Sequence, residues 1–290
     1  MIKQAFKEAV FRAIFFMSAT VAVVAILLIC FFIFSNGLPF MANYGFARFL
    51  LGSDWSPTNI PASYGILPMI VGSLLITLGA IVIGVPTGIL TSVFMVYYCP
   101  KPVYGFLKSA INLMAAIPSI VYGFFGLQLL VPWIRTFLGN GMSVLTASLL
   151  LGIMILPTII SLSESAIRTV PKTYYSGSLA LGASHERSIF SVILPAARSG
   201  ILSAVILGIG RAVGETMAVI LVAGNQPIIP SGLFSGTRTL TTNIVLEMAY
   251  ASGQHREALI ATSAVLFFLI LLINAYFAYF AYLKGKSSYE

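Results

Sequence analysis

Two charged side chains lie where charges are rare. Arg211 and Glu215 fall in the run 199–223, which is otherwise apolar. Four residues apart on an α-helix, they would share one face. At bilayer depth a charge costs roughly 2.5 to 3.5 kcal/mol on insertion scales, and pairing offsets part of that. Two roles fit the pair. One is a structural ion pair locking helices or subunits together. The other is a site on the route of an anion, because a guanidinium is always charged and its planar fork suits phosphate oxygens. In that role Glu215 holds Arg211 while the path is empty and yields it to a passing anion, with Thr216 adding a hydroxyl. Gly210, Gly214 and Ala218 form a stripe of small residues about 100° round the same helix, which lets a second helix pack closely.

A second polar group surrounds Pro118. A proline inside a helix removes one backbone bond and bends the chain. The carbonyl it frees, with Ser119 and Tyr122, could line a polar passage. A plain packing kink fits equally, and Gly123 and Gly126 favour close helix contact under either reading.

No catalytic machinery is evident. Cys30 and Cys99 have no neighbouring partner, His185 and His255 lie far apart, and no metal-ligand spacing is present. Gly285-Lys286-Ser287 resembles the end of a phosphate-binding loop, but that motif needs a glycine where Phe280 stands and a strand before it. The expectation is therefore no enzyme, no metal and no cofactor on this chain. Any nucleotide energy comes from another one.

The elements that must position these residues follow from composition. The chain has 290 residues, 59% apolar, with 8% charged and a mean hydropathy of +0.99. So few charges cannot cover a soluble fold, and disorder needs the opposite composition. The charges divide the chain into six apolar runs, at about 13–34, 67–97, 109–131, 144–163, 199–223 and 258–283. Each is near or above the length that crosses a bilayer. No run alternates with period two, so an all-α membrane protein of six helices is expected, forming one domain over 1–290. The first run is longer than a signal-peptide core and no clear cleavage site follows it, so it reads as a retained helix. Lys3, Lys7, Arg12, Lys101, Lys108, Arg168, Lys172, Arg187, Arg198, Lys284 and Lys286 fall on one side; Arg48, Arg135, Arg238 and Arg256 fall on the other. The positive-inside rule then places both termini in the cytoplasm. The outer loops are expected at about 35–66 and 224–257, with Leu240–Tyr250 forming a short helix or dipping back towards the membrane. No internal repeat or pair of broken helices is clear.

The inner loop, about 164–198, is the most polar stretch. Pro171 can start a short helix, Gly182 can end it, and Ser184 can cap a second one. Either the hairpin is an amphipathic connector resting on headgroups, or it docks on a protein. Here a resemblance enters. Gly182, then nine residues, then Val192-Ile193-Leu194-Pro195 is similar to the signature loop of ABC importer permeases. In that family the loop couples to the ATP-hydrolysing subunit. The resemblance assigns Leu181, Gly182, Ala183, Ser184, Leu194 and Pro195 to that contact. The family's Glu-Ala-Ala falls on Ser176-Gly177-Ser178 here.

Further motifs narrow the family. Gly210-Arg211-Ala212-Val213-Gly214-Glu215-Thr216-Met217-Ala218-Val219, followed by Ala223-Gly224-Asn225, resembles phosphate-specific ABC importer permeases of the PstC type. So do Trp55-Ser56-Pro57, Tyr64-Gly65-Ile66-Leu67-Pro68 and Ala115-Ala116-Ile117-Pro118-Ser119-Ile120-Val121-Tyr122-Gly123. The resemblance implies the type I importer fold in a bacterial or archaeal plasma membrane. It implies a second, PstA-like permease, a homodimeric PstB-like ATPase that holds ATP and magnesium, and an external PstS-like phosphate-binding protein. A permease for another oxyanion, such as molybdate or sulfate, is the nearest other reading. A stand-alone secondary carrier or a membrane-embedded enzyme belongs to a different class.

Overall fold

The computed structural model describes residues 2–137 and 139–286, so Ser287 of the tail tripeptide lies outside the described residues. The chain runs as α1 (Ile2–Tyr44), α2 (Phe46–Leu51), a two-residue hairpin of β1 (Trp55–Ser56) and β2 (Ser63–Tyr64), α3 (Leu67–Val93), α4 (Lys101–Ala116), α5 (Ser119–Phe125), α6 (Val131–Arg135) and α7 (Val144–Thr169). It continues as α8 (Lys172–Ala180), α9 (His185–Ser188), α10 (Leu194–Ala196), α11 (Arg198–Gly214), α12 (Met217–Val222), α13 (Leu240–Glu247) and α14 (Gly253–Lys286). Three π-helical turns, Phe94–Tyr98, Gly126–Leu130 and Ile189–Ile193, extend or join these helices.

Among the described residues, four helices are long and apolar enough to cross a membrane, and two bent pairs bring the total to six if each pair is one span. The bends depart from six continuous rods. Lys101–Ala116 turns by 99° into Ser119–Arg135, and His185–Ala196 turns by 70° into Arg198–Gly214. The first helix also runs about ten residues past its expected end, to Tyr44. What reads as outer loop from residue 35 therefore begins at Gly45, whose φ of 97° the absence of a side chain permits.

The core is built around α7. Its buried Leu150, Leu151, Met154, Ile155 and Ile159 face α3 on one side and α11 on the other. Glycines make the approach possible. A methyl added at Gly84 would sit 2.7 Å from Ile155, and one at Gly88 or Gly208 would strike Ile159. Within lipid there is little hydrophobic drive between helices, so such close packing supplies the association. A second cluster at the outer end joins Phe40, Phe49, Trp55, Tyr64 and Met69 to Leu259 of α14. α1 packs along α14 and otherwise exposes Phe15, Phe16, Leu27 and Phe31. The short helix expected near 240 is α13. Thr239 and Thr242 cap it reciprocally, and its Leu240 N–H donates to Ser73 Oγ at 2.9 Å.

Candidate translocation site

α5, beyond the bend at Pro118, packs against α12, which follows a further interruption after Gly214, with Gly123 so close to Ala218 that an added methyl would lie 2.8 Å from its Cα. The first break has a local cause. Pro118 cannot donate to Met114 O, its partner four residues back, and the Tyr122 hydroxyl donates to that carbonyl instead at 2.9 Å. Tyr122 is buried, so its hydroxyl is committed to the bend rather than to an open passage. Ser119 begins α5, half-buried.

The interruption after Gly214 changes the reading of the charged pair. α11 ends at Gly214, and Glu215 is extended with φ −70° and ψ 131°. Arg211 and Glu215 therefore do not share a helix face, and among the described residues no ion pair joins them. The Glu215 carboxylate turns forward instead. Its Oε1 accepts from Thr216 N at 3.2 Å and Ala218 N at 3.3 Å, capping α12. The Thr216 hydroxyl donates to Gly214 O, and Thr241 of α13 donates to Glu215 O at 3.1 Å. Arg211 is left half-buried in α11 with one distant polar contact, its Nη1 lying 3.5 Å from Thr158 Oγ1 of α7. Of the five guanidinium donors, one has a hydrogen-bond partner among the described residues. The small-residue stripe divides as well. Ala218 packs inside the chain, whereas a methyl at Gly210 or Gly214 would meet nothing within 4 Å.

The inner hairpin is built as its residues dictate. Gly182, at φ 86°, closes α8. Its N–H donates to Leu179 O at 2.9 Å and the Ala183 N–H to Ser178 O at 3.1 Å. This is the paired carbonyl cap that a left-handed glycine allows. Ser184 Oγ accepts from Arg187 N at 3.3 Å, starting α9. Leu181, at the end of α8 just before Gly182, projects, 91% exposed. Leu194 and Pro195 open α10, which leads into α11. The hairpin thus presents an apolar tip directly connected to the helix that carries Arg211.

Residues 84–284 match the family described as binding-protein-dependent transport system inner membrane component. The chain belongs to that family. A probable ABC transporter permease of Bacillus subtilis, YqgH, is 42% identical over 71% of this chain and 67% of its own length. The phosphate transport system permease protein PstC of Mesorhizobium japonicum is 32% identical over 94% of this chain and 90% of its own. With that coverage, the chain is a permease of the PstC type. Among solved structures, a bacterial ABC transporter that imports alginate superimposes with a TM-score of 0.62 at 15% identity, over 92% of this chain and 95% of that one. The inward-facing methionine transporter MetNI gives 0.56 at 20% identity, over 76% and 94%. These likenesses carry the type I importer fold.

Within this permease fold, three polar groups escape sequence reasoning. Thr158 is an isolated hydroxyl in an apolar run. Glu164 falls at the start of the expected inner loop, yet α7 continues to Thr169 and buries it. There it accepts from Tyr104 OH at 2.6 Å, Lys108 Nζ at 2.7 Å and Arg168 Nε at 2.9 Å. At the outer end Glu247 accepts from Trp55 Nε1 and His255 Nε2, each at 2.9 Å, and from Arg238 Nη1. These residues line an outer cavity of about 340 Å³ with Tyr250. Burial, with the nearby Tyr44 phenol and Glu257 carboxylate, pushes the Tyr64 phenol in this region above its ordinary pKa. The two histidines share a pattern. His185 accepts or donates at Nδ1 with Tyr175 OH at 2.6 Å, and its ring contacts Tyr97 and Tyr98. The spacing of Glu164 and Arg168, four apart, is the one local signal that was available for any of these groups.

Proposed function

We propose that the chain is one of two permease subunits of an ATP-driven importer of inorganic phosphate. The observation that carries this reading is Arg211, a permanent cation near the interruption after Gly214, with no carboxylate paired to it among the described residues. A charge left so poorly compensated is suited to an anion that arrives and leaves. The relatives named as phosphate permeases support phosphate over other oxyanions. Gly210 and Gly214, open on the same helix, support close packing by the second permease. ATP and magnesium then belong to a separate ATPase seated on the Leu181–Ser184 tip, and an external binding protein delivers the ion from the other side. On this reading the chain is not an ATPase, and a movement of the tip passes through α10 and α11 to Arg211.

The test is reconstitution of the four-component assembly in vesicles. Phosphate-loaded binding protein should stimulate ATP hydrolysis and drive phosphate uptake. In Arg211→Gln, uptake should be lost while the subunits still assemble and hydrolyse ATP. Failure to assemble would make Arg211 a structural residue and remove the anion site. Molybdate or sulfate stimulating as well as phosphate would reassign the cargo. Gly182→Val meets no steric obstacle but forces a strained φ, at about 1 to 3 kcal/mol. It should separate hydrolysis from uptake, and unchanged coupling would remove the hairpin from the contact.

A further inference from the structure

A cavity of about 490 Å³ lies where α8 leaves α7 and faces the end of α3. Its walls divide by chemistry. Val96, Ile167 and Ile193 make an apolar floor, and Arg168 and Lys172 stand at the rim with the Tyr97 and Tyr175 phenols between. No acidic side chain lines it. Arg168 spends its Nε on Glu164 and stacks over Tyr104, yet half its side chain remains exposed. Lys172 is exposed and forms no ion pair among the described residues. The basic residues of the chain assign this end to the cytoplasmic face of the membrane.

Two cations above an apolar floor at a membrane surface select a ligand with a phosphate group and a hydrocarbon chain. Size decides between sources. An inorganic oxyanion occupies a few water volumes of about 30 Å³ each and would leave most of the space unfilled. A phospholipid fills both parts, its phosphate against Lys172 and Arg168 and a chain segment on the partly exposed Val96 and Val170, beneath which Ile167 and Ile193 are buried.

We infer that this cavity is a binding site for a phosphate-bearing anion, occupied by the headgroup and upper chain of an anionic phospholipid. A ligand there bridges α8 to the ends of α3 and α7. It therefore stiffens the base of the hairpin whose tip is Leu181, several residues away and outside the cavity. The inference concerns this chain's contact with the bilayer and does not depend on the transported ion.

The experiment uses the full chain in nanodiscs. Amine labelling of Lys172 is followed by mass spectrometry in phosphatidylcholine alone and in an equal mixture with phosphatidylglycerol. Lys101, exposed at the start of α4, serves as the reference. Phosphatidylglycerol should slow labelling of Lys172 about fivefold more than that of Lys101, the effect of about 1 kcal/mol at one cation. Ser176→Glu, an exposed change at the cavity wall, should abolish that difference. In a second arm, millimolar inorganic phosphate is added to phosphatidylcholine discs. Selective protection of Lys172 by phosphatidylglycerol supports the proposal, and protection by inorganic phosphate alone overturns the phospholipid as occupant. Equal slowing of both lysines, or protection that survives Ser176→Glu, overturns it.

Discussion

The two ends of the molecule treat a buried carboxylate alike, and the middle treats a half-buried cation in the opposite way. Glu164 inside and Glu247 outside each gather three donors, from α4 and α7 for Glu164 and from three separate segments for Glu247. Arg211, between them, has a single hydroxyl at the limit of hydrogen-bond distance. Buried charges that are saturated hold elements together, because removing one partner strands the others. A half-buried charge with few partners contributes little to stability. The ends are therefore built as clamps and the middle is not, which is the contrast on which the proposed anion site rests.

The outer clamp is the stronger of the two, because its partners have less access to water. The side chains of Arg238 and His255 are 14% and 12% exposed, against 33% and 47% for Lys108 and Arg168. Glu247→Ala should therefore destabilise the chain most, by about 3 to 5 kcal/mol, the range for stranding a buried charge. Thermal unfolding in detergent reads this directly. Glu247→Gln should recover part of the loss, since an amide still accepts from Trp55. Equal loss for both variants would mean that charge alone holds the clamp.

Glu164→Ala should cost less, about 1 to 3 kcal/mol, because Lys108 and Arg168 can turn to water when the carboxylate is gone. Its specific effect should be on α4, which the clamp ties to α7. Faster hydrogen exchange in Lys101–Ala116 than in α7 is the expected signature. Uniform exchange across both helices would deny that the clamp holds α4. Tyr122→Phe should cost about 1 kcal/mol, by leaving Met114 O without its donor. No loss of stability would show that another group already satisfies that carbonyl.

The same contrast explains what could be read before any coordinates. Apolar runs, a glycine that must end a helix at 182 and a serine that must cap one at 184 are local signals. Gly182 and Ser184 act where local chemistry expects, whereas the first run extends to Tyr44 and those at 109–131 and 199–223 are interrupted. The clamps depend on partners 56 residues away for Glu164 and 192 for Trp55 with Glu247, and no local pattern announces such pairs. The break after Gly214 was hidden for another reason. Four-residue spacing suggested a shared face, and no proline marks the interruption. It exists because Glu215 caps α12 from outside the helix and Thr241 holds its carbonyl from α13. The Pro118 bend was visible in sequence, but its 99° angle depends on the packing of α5 against α12.

Arg211→Gln tests the other half of the contrast, with the smallest expected change in stability. The substitution strands no carboxylate, because Glu215 is occupied with backbone N–H groups and no ion pair breaks. It removes a charge whose placement costs roughly 2.5 to 3.5 kcal/mol on insertion scales. The unfolding midpoint should therefore stay level or rise slightly, in contrast to both glutamate variants. If Arg211 instead pairs with a carboxylate of a partner subunit, the isolated chain would still show no loss, but the assembled complex would. Measuring both separates the cases. A stable complex that no longer moves phosphate identifies Arg211 as a site kept open for its cargo. A complex that falls apart identifies a third clamp, completed only by assembly.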